Sequence, residues 1–413
     1  MLSDSAQQTT PIDPLGFTLE GFSQAVRTLD AGAGQAERAY KQIFREGRVE
    51  GTANRGRVIA RVCVPPIVKQ LREDVPEGET IKFVQRLDAM PKPERVIAED
   101  RRKRAIDGHP LGALAGDDRV HHLDIESVII PMVGRSGTRT HTLCVSSQVG
   151  CAMGCGFCET AQMGLIRSLT AEEIVGQWWA ATFLLGKQID NIVFMGMGEP
   201  LDNIDEVIRA IGVLADHNGA CVPMSRITVS TVGRIDGLRK LDEVVKREGW
   251  RRLGLAVSIN APNDTVRDDL MPVNRGMPMA ELREVLLGFR RGCARKICFE
   301  YVLIPGVNDA REHASQLAEY LDPFKGIAGV RSPLGLVNVI PYNPRRDSPW
   351  PAPTEERVTE FMRWLSDDGL FVKRRRTKGR AMMGACGQLG TASIRKRKYV
   401  PLTTGSANGG VGV

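Results

Sequence analysis

The chain has 413 residues, and its 56 lysine and arginine residues against 49 aspartate and glutamate residues give a net charge of +7. Hydrophobic residues make up 42% and charged residues 25% of the sequence, which is typical of a soluble globular protein and excludes a disordered, collagen-like or coiled-coil chain. No apolar stretch approaches the roughly 20 residues of a membrane span, and the N-terminus MLSDSAQQTT lacks the regions of a secretory signal. We therefore expect a cytoplasmic protein without a membrane partner.

The N-terminal segment is predicted to be a small accessory domain over residues 1–120. Residues 1–15 are polar, and apolar residues at helical spacing predict helices from about 18 to 73. Two short strands are predicted at 81–87 and 125–131, joined by a charged insert. This pattern differs from the regular alternation that follows it.

Strands and helices alternate from residue 142 onward. The predicted strands are 142–146, 191–195, 226–231, 253–259, 297–303 and 336–340. The predicted helices are 171–185, 204–216, 236–248, 279–291, 309–321 and 354–367, with a last strand at 371–375. Such βα units form parallel sheets with right-handed crossovers, and six are fewer than the eight of a closed barrel. We predict an α/β fold, a partial (βα)6 barrel over residues 121–400, with its active face at the carboxyl ends of the strands and a flexible tail at 401–413.

Basic residues cluster in three runs, at 101–104, 373–380 and 395–398. Such runs can contact a polyanion, of which nucleic acid is the obvious example. The alternative is a solvated face or a frayed chain end. The runs point to RNA or DNA only in combination with a catalytic site.

Nine cysteines are many for a cytosolic protein, and four of them fall within residues 144–158. The odd number argues against a secreted disulfide framework and favours metal binding or thiol chemistry. Cys151, Cys155 and Cys158 are spaced C-x3-C-x2-C among glycines, so three thiolates can surround one compact soft-metal centre. One alternative is a [4Fe–4S] cluster with one iron open to an outside ligand. The other is a structural zinc ion completed by Cys144.

This cysteine loop at the head of a partial barrel resembles the radical S-adenosylmethionine (SAM) superfamily. Within it, the run CVSSQVGCAMGCGFCETAQMG at 144–164 resembles the RlmN/Cfr family of adenosine methyltransferases. The resemblance extends from about residue 126 to residue 390. It is carried by further motifs in the same order: GMGEPL at 196–201, ITVSTVG at 227–233, LAVSINAPND at 255–264, RDDLMPVN at 267–274, EYVLIPGVND at 300–309, VIPYNP at 339–344 and GACGQL at 384–389. The resemblance favours the cluster over the zinc ion.

The resemblance implies two cofactors, a [4Fe–4S] cluster and SAM. Cys151, Cys155 and Cys158 would hold the cluster, Phe157 would shield it, and SAM would chelate the open iron. The implied SAM contacts are Gly198, Glu199, Ser230, Ser258, Ile259, Asn260 and Asn343. Asn260 departs from the family, which usually has histidine there; asparagine keeps a hydrogen-bonding edge but loses the titratable ring.

The resemblance also implies three catalytic residues. Cys386 would take a methyl group from one SAM and carry it to the base, because an adenine ring carbon is not nucleophilic enough to attack SAM. Cys144 would then attack the Cys386 sulfur and release the product through a disulfide. Glu126 would accept a proton near the target base, although the insert 134–142 lengthens its spacing to Cys144.

The function implied is methylation of carbon 2 of adenosine in 23S rRNA, with tRNA as a further candidate substrate. The nearest alternative is the sister activity at carbon 8, which confers antibiotic resistance; an alternative of another class is an iron–sulfur RNA-binding protein without catalysis. We expect a monomer that takes electrons from an external donor such as flavodoxin. Residues 1–120 and the basic run at 373–380 are expected to bind RNA, the latter through phosphates.

Overall fold

The computed structural model describes residues 10–87, 123–134, 137–292, 295–326, 332–375, 378–379 and 381–390. The predicted charged insert, the basic runs at 101–104 and 395–398 and the tail at 401–413 lie outside those residues. Among the described residues, no helix is long and apolar enough to cross a membrane.

One sheet of ten strands organises the protein. Its strands are β3 (Ile67–Val75), β4 (Gly78–Leu87), β5 (Leu123–Val133), β6 (Arg139–Cys144), β9 (Asn191–Phe194), β10 (Ile227–Thr231), β11 (Gly254–Ser258), β12 (Ile297–Leu303), β13 (Gly335–Pro341) and β14 (Val372–Arg374). Their order is β14-β13-β12-β11-β10-β9-β6-β5-β4-β3. From β14 to β6 all neighbours are parallel, whereas β5, β4 and β3 continue the sheet in antiparallel pairs. Two small hairpins lie outside it, β1 (Glu50–Thr52) with β2 (Val58–Arg61) and β7 (Gln148–Gly150) with β8 (Leu165–Ser168).

Helices follow the parallel strands as the alternating pattern predicts. They are α3 (Ala171–Trp179), α4 (Ile204–Ala215), α5 (Ile235–Val245), α6 (Asp264–Leu270), α7 (Met279–Gly292), α8 (Arg311–Tyr320) and α9 (Glu355–Asp367), preceded by α1 (Leu19–Ala25) and α2 (Ala33–Phe44). The end strands β14 and β3 do not pair with each other, so the predicted open α/β barrel is confirmed. The short helix α6 and the hairpin of β7 and β8 were not predicted.

The start of α3 shows how local sequence sets an element. Thr170 accepts a hydrogen bond from the Glu173 backbone N–H, and the Glu173 side chain accepts one from the Thr170 N–H, which forms a capping box. The helix predicted at 171–185 continues beyond α3 as a π-helical turn, Ala180–Leu184. This cap directs the chain out of the cysteine loop and along the outside of the sheet.

The helical prediction for residues 18–73 is correct only as far as Phe44. Beyond that point the chain forms β1, β2 and β3. Apolar residues such as Ile67 and Leu71 happen to recur at helical spacing, but pairing with β4 along the whole of β3 satisfies the backbone. Within the insert 134–142, residues 139–142 form the first part of β6, so the strand predicted at 142–146 begins at Arg139.

The N-terminal helices pack on the barrel through aromatic side chains. The Trp179 indole N–H donates to the Ile43 carbonyl at 3.2 Å, and the rings of Phe44 and Trp178 stack with centroids 6.0 Å apart. One buried apolar cluster includes residues of both parts. The strands β3 and β4, which fall within the predicted accessory segment 1–120, extend the barrel sheet itself.

Candidate active site

One cavity opens where the parallel strands end, as the prediction of the active face requires. The predicted site residues that line it are Cys151, Cys155, Cys158, Gly198, Glu199, Ser230, Ser258, Asn260, Asn343 and Cys386. Phe157 lines it as well. Three predicted residues are not among its lining: Ile259, Glu126 and Cys144. Residues almost 240 positions apart in sequence therefore meet in one space.

The cysteine loop runs between β7 and β8 and takes its shape from glycine. Gly150 has φ +77°, and a Cβ there would lie 1.8 Å from the Gly164 carbonyl oxygen, so only glycine fits. The next residue, Cys151, donates its backbone N–H to that carbonyl at 2.9 Å. Further along, the Gly156 N–H donates to the Leu270 carbonyl at 3.0 Å. These bonds fix the three thiols on one side of the cavity.

The three thiols fit an iron–sulfur cluster. Burial raises the pKa of each of them, so they remain thiolates only when a metal supplies compensating positive charge. The backbone N–H groups of Thr160 and Ala161 lower the pKa of the Cys158 thiol and so favour its thiolate, as backbone groups near cluster sulfurs do. Apolar side chains including Met271 and Tyr342 surround the loop.

Cys144, the proposed fourth ligand of the zinc alternative, lies elsewhere. Its thiol interacts with Cys386 and Arg375, whereas Cys151, Cys155 and Cys158 interact with one another. Among the described residues, no three His, Cys, Asp or Glu side chains converge on a position for a single metal ion. Cys144 is therefore not placed to serve as the fourth ligand of a zinc ion bound by Cys151, Cys155 and Cys158.

Glu199 is positioned to bind a cation at the end of β9. It is 2% exposed, and its carboxylate accepts the backbone N–H groups of Leu201 at 3.0 Å and Val232 at 2.9 Å. Burial raises its pKa to about 7, so a bound ammonium group would favour the ionised form. Gly198 before it has φ +101°, and a Cβ there would lie 2.5 Å from Gln148.

Arg267 joins the loops after β10 and β11, a role that the sequence analysis missed. Its side chain is 1% exposed, and the guanidinium donates to the carbonyls of Ile259 at 3.1 Å and Val232 at 2.6 Å and to the Asn274 side chain at 2.6 Å. An arginine with its fork fully buried needs such acceptors. Its place in the motif RDDLMPVN was the available signal. Ile259 is fully buried, and its carbonyl is one of these acceptors.

The Asn260 side chain lines the cavity and also hydrogen-bonds to the backbone. It adopts φ +56°, a left-handed conformation that asparagine tolerates better than most residues. Its side-chain oxygen accepts the Val302 N–H at 2.9 Å, and its amide group contacts the Met271 sulfur at 3.4 Å. The residue that departs from the family pattern is therefore held by the fold.

The loop that carries Cys386 is bound to the cysteine loop. The Glu159 N–H donates to the Gly387 carbonyl at 2.7 Å, and the Thr160 hydroxyl donates to the Leu389 carbonyl. The Asn343 amide contacts the Cys386 carbonyl at 3.4 Å. Cys386 is thereby held in the same cavity as the thiols of Cys151, Cys155 and Cys158.

A buried ion pair holds the same loop from the other side. Lys82 Nζ lies 2.8 Å from Glu126 Oε2, and the two side chains are 5% and 7% exposed. Lys82 also donates to the Met383 carbonyl at 2.9 Å, and Glu126 accepts the Gly390 N–H at 2.9 Å. The pair therefore binds the backbone on both sides of Cys386. Sequence reasoning identified Glu126 but not Lys82.

A second ion pair lines the same cavity as Cys386. Arg375, which follows β14, places Nη1 2.8 Å from Glu300 Oε1. Glu300 lies on β12 and also contacts Ser230 and Asn338, each at 3.4 Å. Burial raises the pKa of the Cys144 thiol to about 12, with the neighbouring Cys386 adding to the effect and Arg375 opposing it. The two predicted reactive cysteines are therefore electrostatic neighbours.

The basic run at 373–380 is not a uniform RNA-contacting face. Arg375 is directed into the cavity with its side chain only 23% exposed, and Arg374 pairs with Glu355. Lys378 lies 3.4 Å from Glu77. Lys373 is exposed, with its amine 5.6 Å from the Phe371 ring. Residues 376 and 380 lie outside the described residues.

Comparisons with known proteins place the chain in a family. Residues 145–318 match the model of the radical SAM superfamily. A probable dual-specificity RNA methyltransferase RlmN 1 of Protochlamydia amoebophila is 34% identical over 396 residues, which cover 94% of this chain and 96% of that relative. A dual-specificity RNA methyltransferase RlmN of Syntrophotalea carbinolica is 42% identical over 265 residues, covering 64% of this chain and 66% of that relative.

A solved structure is similar over nearly the whole chain. It is a radical SAM methyltransferase from Sphaerobacter thermophilus, with a TM-score of 0.72 and 30% identity, covering 92% of this chain and 99% of that one. The family resemblance inferred from the motifs is therefore confirmed. The chain belongs to the radical SAM superfamily and, within it, to the RlmN family of SAM-dependent RNA methyltransferases.

Proposed function

We propose that the protein methylates carbon 2 of adenosine in 23S rRNA and in tRNA, with Cys386 as the methyl carrier. The observation that supports this most directly is the placement of Cys386 in one cavity with Cys151, Cys155 and Cys158. Backbone hydrogen bonds join the two loops, as a carrier beside a radical source requires. A non-catalytic RNA-binding protein would need neither Cys386 nor Cys144 there.

The reaction begins at Cys386. Its thiolate attacks the methyl group of one SAM; the sulfonium C–S bond breaks, and S-adenosylhomocysteine leaves. Cys151, Cys155 and Cys158 would hold the cluster, which would supply the electron for reductive cleavage of a second SAM and so for removal of one hydrogen from the methyl group on Cys386. The resulting methylene bonds to carbon 2 of the base, so that protein and RNA are joined covalently.

Cys144 and Glu126 then separate the protein from its product. The Cys144 thiolate attacks the Cys386 sulfur, a disulfide forms, and the electron pair of the broken S–C bond goes to the carbon that becomes the new methyl group. Glu126 accepts the proton that leaves carbon 2, and the unpaired electron left on the base passes to a one-electron acceptor, a role that the oxidised cluster would serve when bound. An external reductant, for which flavodoxin is our candidate, reduces the disulfide and the cluster.

The remaining predicted residues would bind SAM and RNA. We assign Glu199 to the SAM amino group, because a buried carboxylate at a cavity wall suits an ammonium ion. Gly198, Ser230, Ser258 and Asn260 line the wall on either side of it, and Asn343 lies beside Cys386. Ile259 would contribute through its backbone. We assign RNA binding to residues 1–120, with the barrel over 121–400, and expect a monomer.

Nucleoside mass spectrometry tests the position and the substrate. Anaerobically reduced protein incubated with SAM and either unmodified 23S rRNA or tRNA should yield 2-methyladenosine in both. Formation of 8-methyladenosine would assign the sister activity instead, and no methylated adenosine from an iron-loaded protein would reject the proposal. Cys386→Ala protein is the matched control.

The cluster assignment predicts a colour and an iron content. Reconstituted protein should be brown with about four iron atoms per chain. Alanine at any of Cys151, Cys155 or Cys158 should remove the colour, because three thiolates are the fewest that hold the cube. Cys63→Ala, at an exposed cysteine, should keep it. A colourless protein with stoichiometric zinc would contradict the assignment.

A further inference from the structure

Arg375 is a charged group inside the site that the predicted mechanism does not use. Its backbone N–H donates to the Val339 carbonyl at 2.9 Å, which fixes the residue at the end of the parallel sheet. The guanidinium lies 2.8 Å from Glu300 and 3.3 Å from the Met195 sulfur through Nη1. Both Arg375 and Glu300 line the cavity that contains Cys386.

One carboxylate does not use all the donors of this arginine. A guanidinium has five N–H groups in a rigid fork. Glu300 engages Arg375 through Nη1, and Arg375 lines the same cavity as Cys386, the pKa of whose thiol its charge lowers. The guanidinium charge therefore acts on the Glu300 carboxylate and on a sulfur that is charged only as a thiolate.

We propose that Arg375 holds the sulfurs of Cys386 and Cys144 as thiolates in turn, and that Glu300 limits and orients its charge. This inference rests on the proposed function, in which Cys386 attacks SAM and Cys144 later attacks Cys386. Both attacks need a thiolate, which burial disfavours: Cys144 is buried, Cys386 is half-buried, and burial raises the pKa of both thiols. Once methylated, Cys386 is neutral, and the guanidinium is free to stabilise Cys144.

The electrostatic surroundings support this role. Burial raises the pKa of the Cys386 thiol, Arg375 lowers it by charge and by a hydrogen bond, and Glu300 raises it. Arg375 also lowers the pKa of Cys144. The charged and titratable groups that face Cys386 or Arg375 or line the cavity are Arg375 after β14, Glu300 and Cys298 on β12, Cys144 on β6, Tyr342 after β13, and Cys151, Cys155, Cys158 and Glu199.

Substitutions of Arg375 and of Glu300 are expected to shift the pH midpoint of Cys386 alkylation in opposite directions. Arg375→Gln should move the pH midpoint of Cys386 alkylation upward by about 1–3 units, the range expected for loss of one neighbouring opposite charge. Glu300→Gln should move it downward. Arg375→Lys should restore most of the wild-type midpoint, and Arg374→Gln, at the neighbouring exposed arginine that pairs with Glu355, should leave it unchanged.

The measurement uses anaerobic, cluster-loaded protein whose Cys386 is shown by peptide mass spectrometry to be unmethylated. Iodoacetamide labelling of Cys386 is followed by the same method from pH 6 to 11, with no RNA and no reductive cleavage of SAM. Addition of SAM at pH 7 then gives the rate of methyl loading, which should fall about tenfold or more in Arg375→Gln. The loading rate of Arg375→Lys should stay near that of the wild type.

Midpoints that move in the same direction in Arg375→Gln and Glu300→Gln, or that do not move, would overturn the inference. If Arg375→Gln does not fold, Arg375→Met replaces it, and an unshifted midpoint in that variant overturns the inference. Failure of the proposed function can be distinguished from failure of this inference. In that case the midpoints would shift as expected, but no methylated adenosine would form. Adenosine methylation with unshifted midpoints would reject only the role of Arg375.

Discussion

Cys386→Ala protein should form neither methylated adenosine nor a covalent adduct with RNA, whereas Cys144→Ala protein should accumulate the adduct. Without Cys386 there is no methyl carrier. Without Cys144 the carrier still bonds to the base, but no thiolate attacks its sulfur to release the product. The adduct should appear as a nuclease-sensitive upward shift of the protein on a denaturing gel.

Two cysteines that only pack would not give this asymmetry. Their alanine variants would both lose stability by about 0.5–3 kcal/mol and would both fail or both react. Cys221→Ala, at an exposed cysteine, is the control and should turn over normally. Normal turnover by Cys144→Ala, or equal failure of both variants without an adduct, would show that no methyl-cysteine is involved.

Lys82→Met should lower the free energy of unfolding by about 3–5 kcal/mol, because it leaves the Glu126 carboxylate buried without a counter-charge. It should also abolish adenosine methylation, since the Lys82 bond to the Met383 carbonyl helps to hold the Cys386 loop. Urea unfolding measures the first effect. Nucleoside mass spectrometry measures the second, and hydrogen exchange of residues 383–390 should accelerate because the loop is held less tightly.

The double variant Lys82→Met/Glu126→Gln separates stability from chemistry. With neither charge buried, most of the lost stability should return. Methylation should not return, because Glu126 is also the proposed proton acceptor. Lys69→Met, at an exposed lysine on the neighbouring strand, should change neither property. A fully active double variant would exclude both the loop-holding role of Lys82 and the proton-accepting role of Glu126.

The parallel part of the fold could be predicted because its signals are local. Each buried strand is followed by an amphipathic helix, and a cap such as Thr170 marks where the helix begins. The segment from 45 to 75 could not be predicted in the same way. Its apolar spacing suits a helix, and only pairing with β4, which is not visible in periodicity, makes β3 a strand.

The residues of the candidate site also differ in how far local sequence signals could identify them. The cysteines proposed to hold the cluster are close in sequence, and the motif around them predicts their chemistry. Lys82 and Arg375 act through partners 44 and 75 positions away, so no local pattern indicates their roles. Arg375 lies within a run of basic residues, and charge alone predicts a phosphate-binding surface there. Its side chain is instead only 23% exposed and lines the cavity that contains Cys386.

The central claim, that the new methyl group passes through Cys386, is tested most directly by isotope content. The protein would be turned over repeatedly with SAM whose methyl group carries three deuterium atoms, and the product adenosine would be analysed by mass spectrometry. The carrier loses one deuterium before it bonds to the base, and the methylene later gains a proton. The account therefore predicts a product methyl group with two deuterium atoms. A product that retains all three would show direct transfer from SAM and would contradict the account.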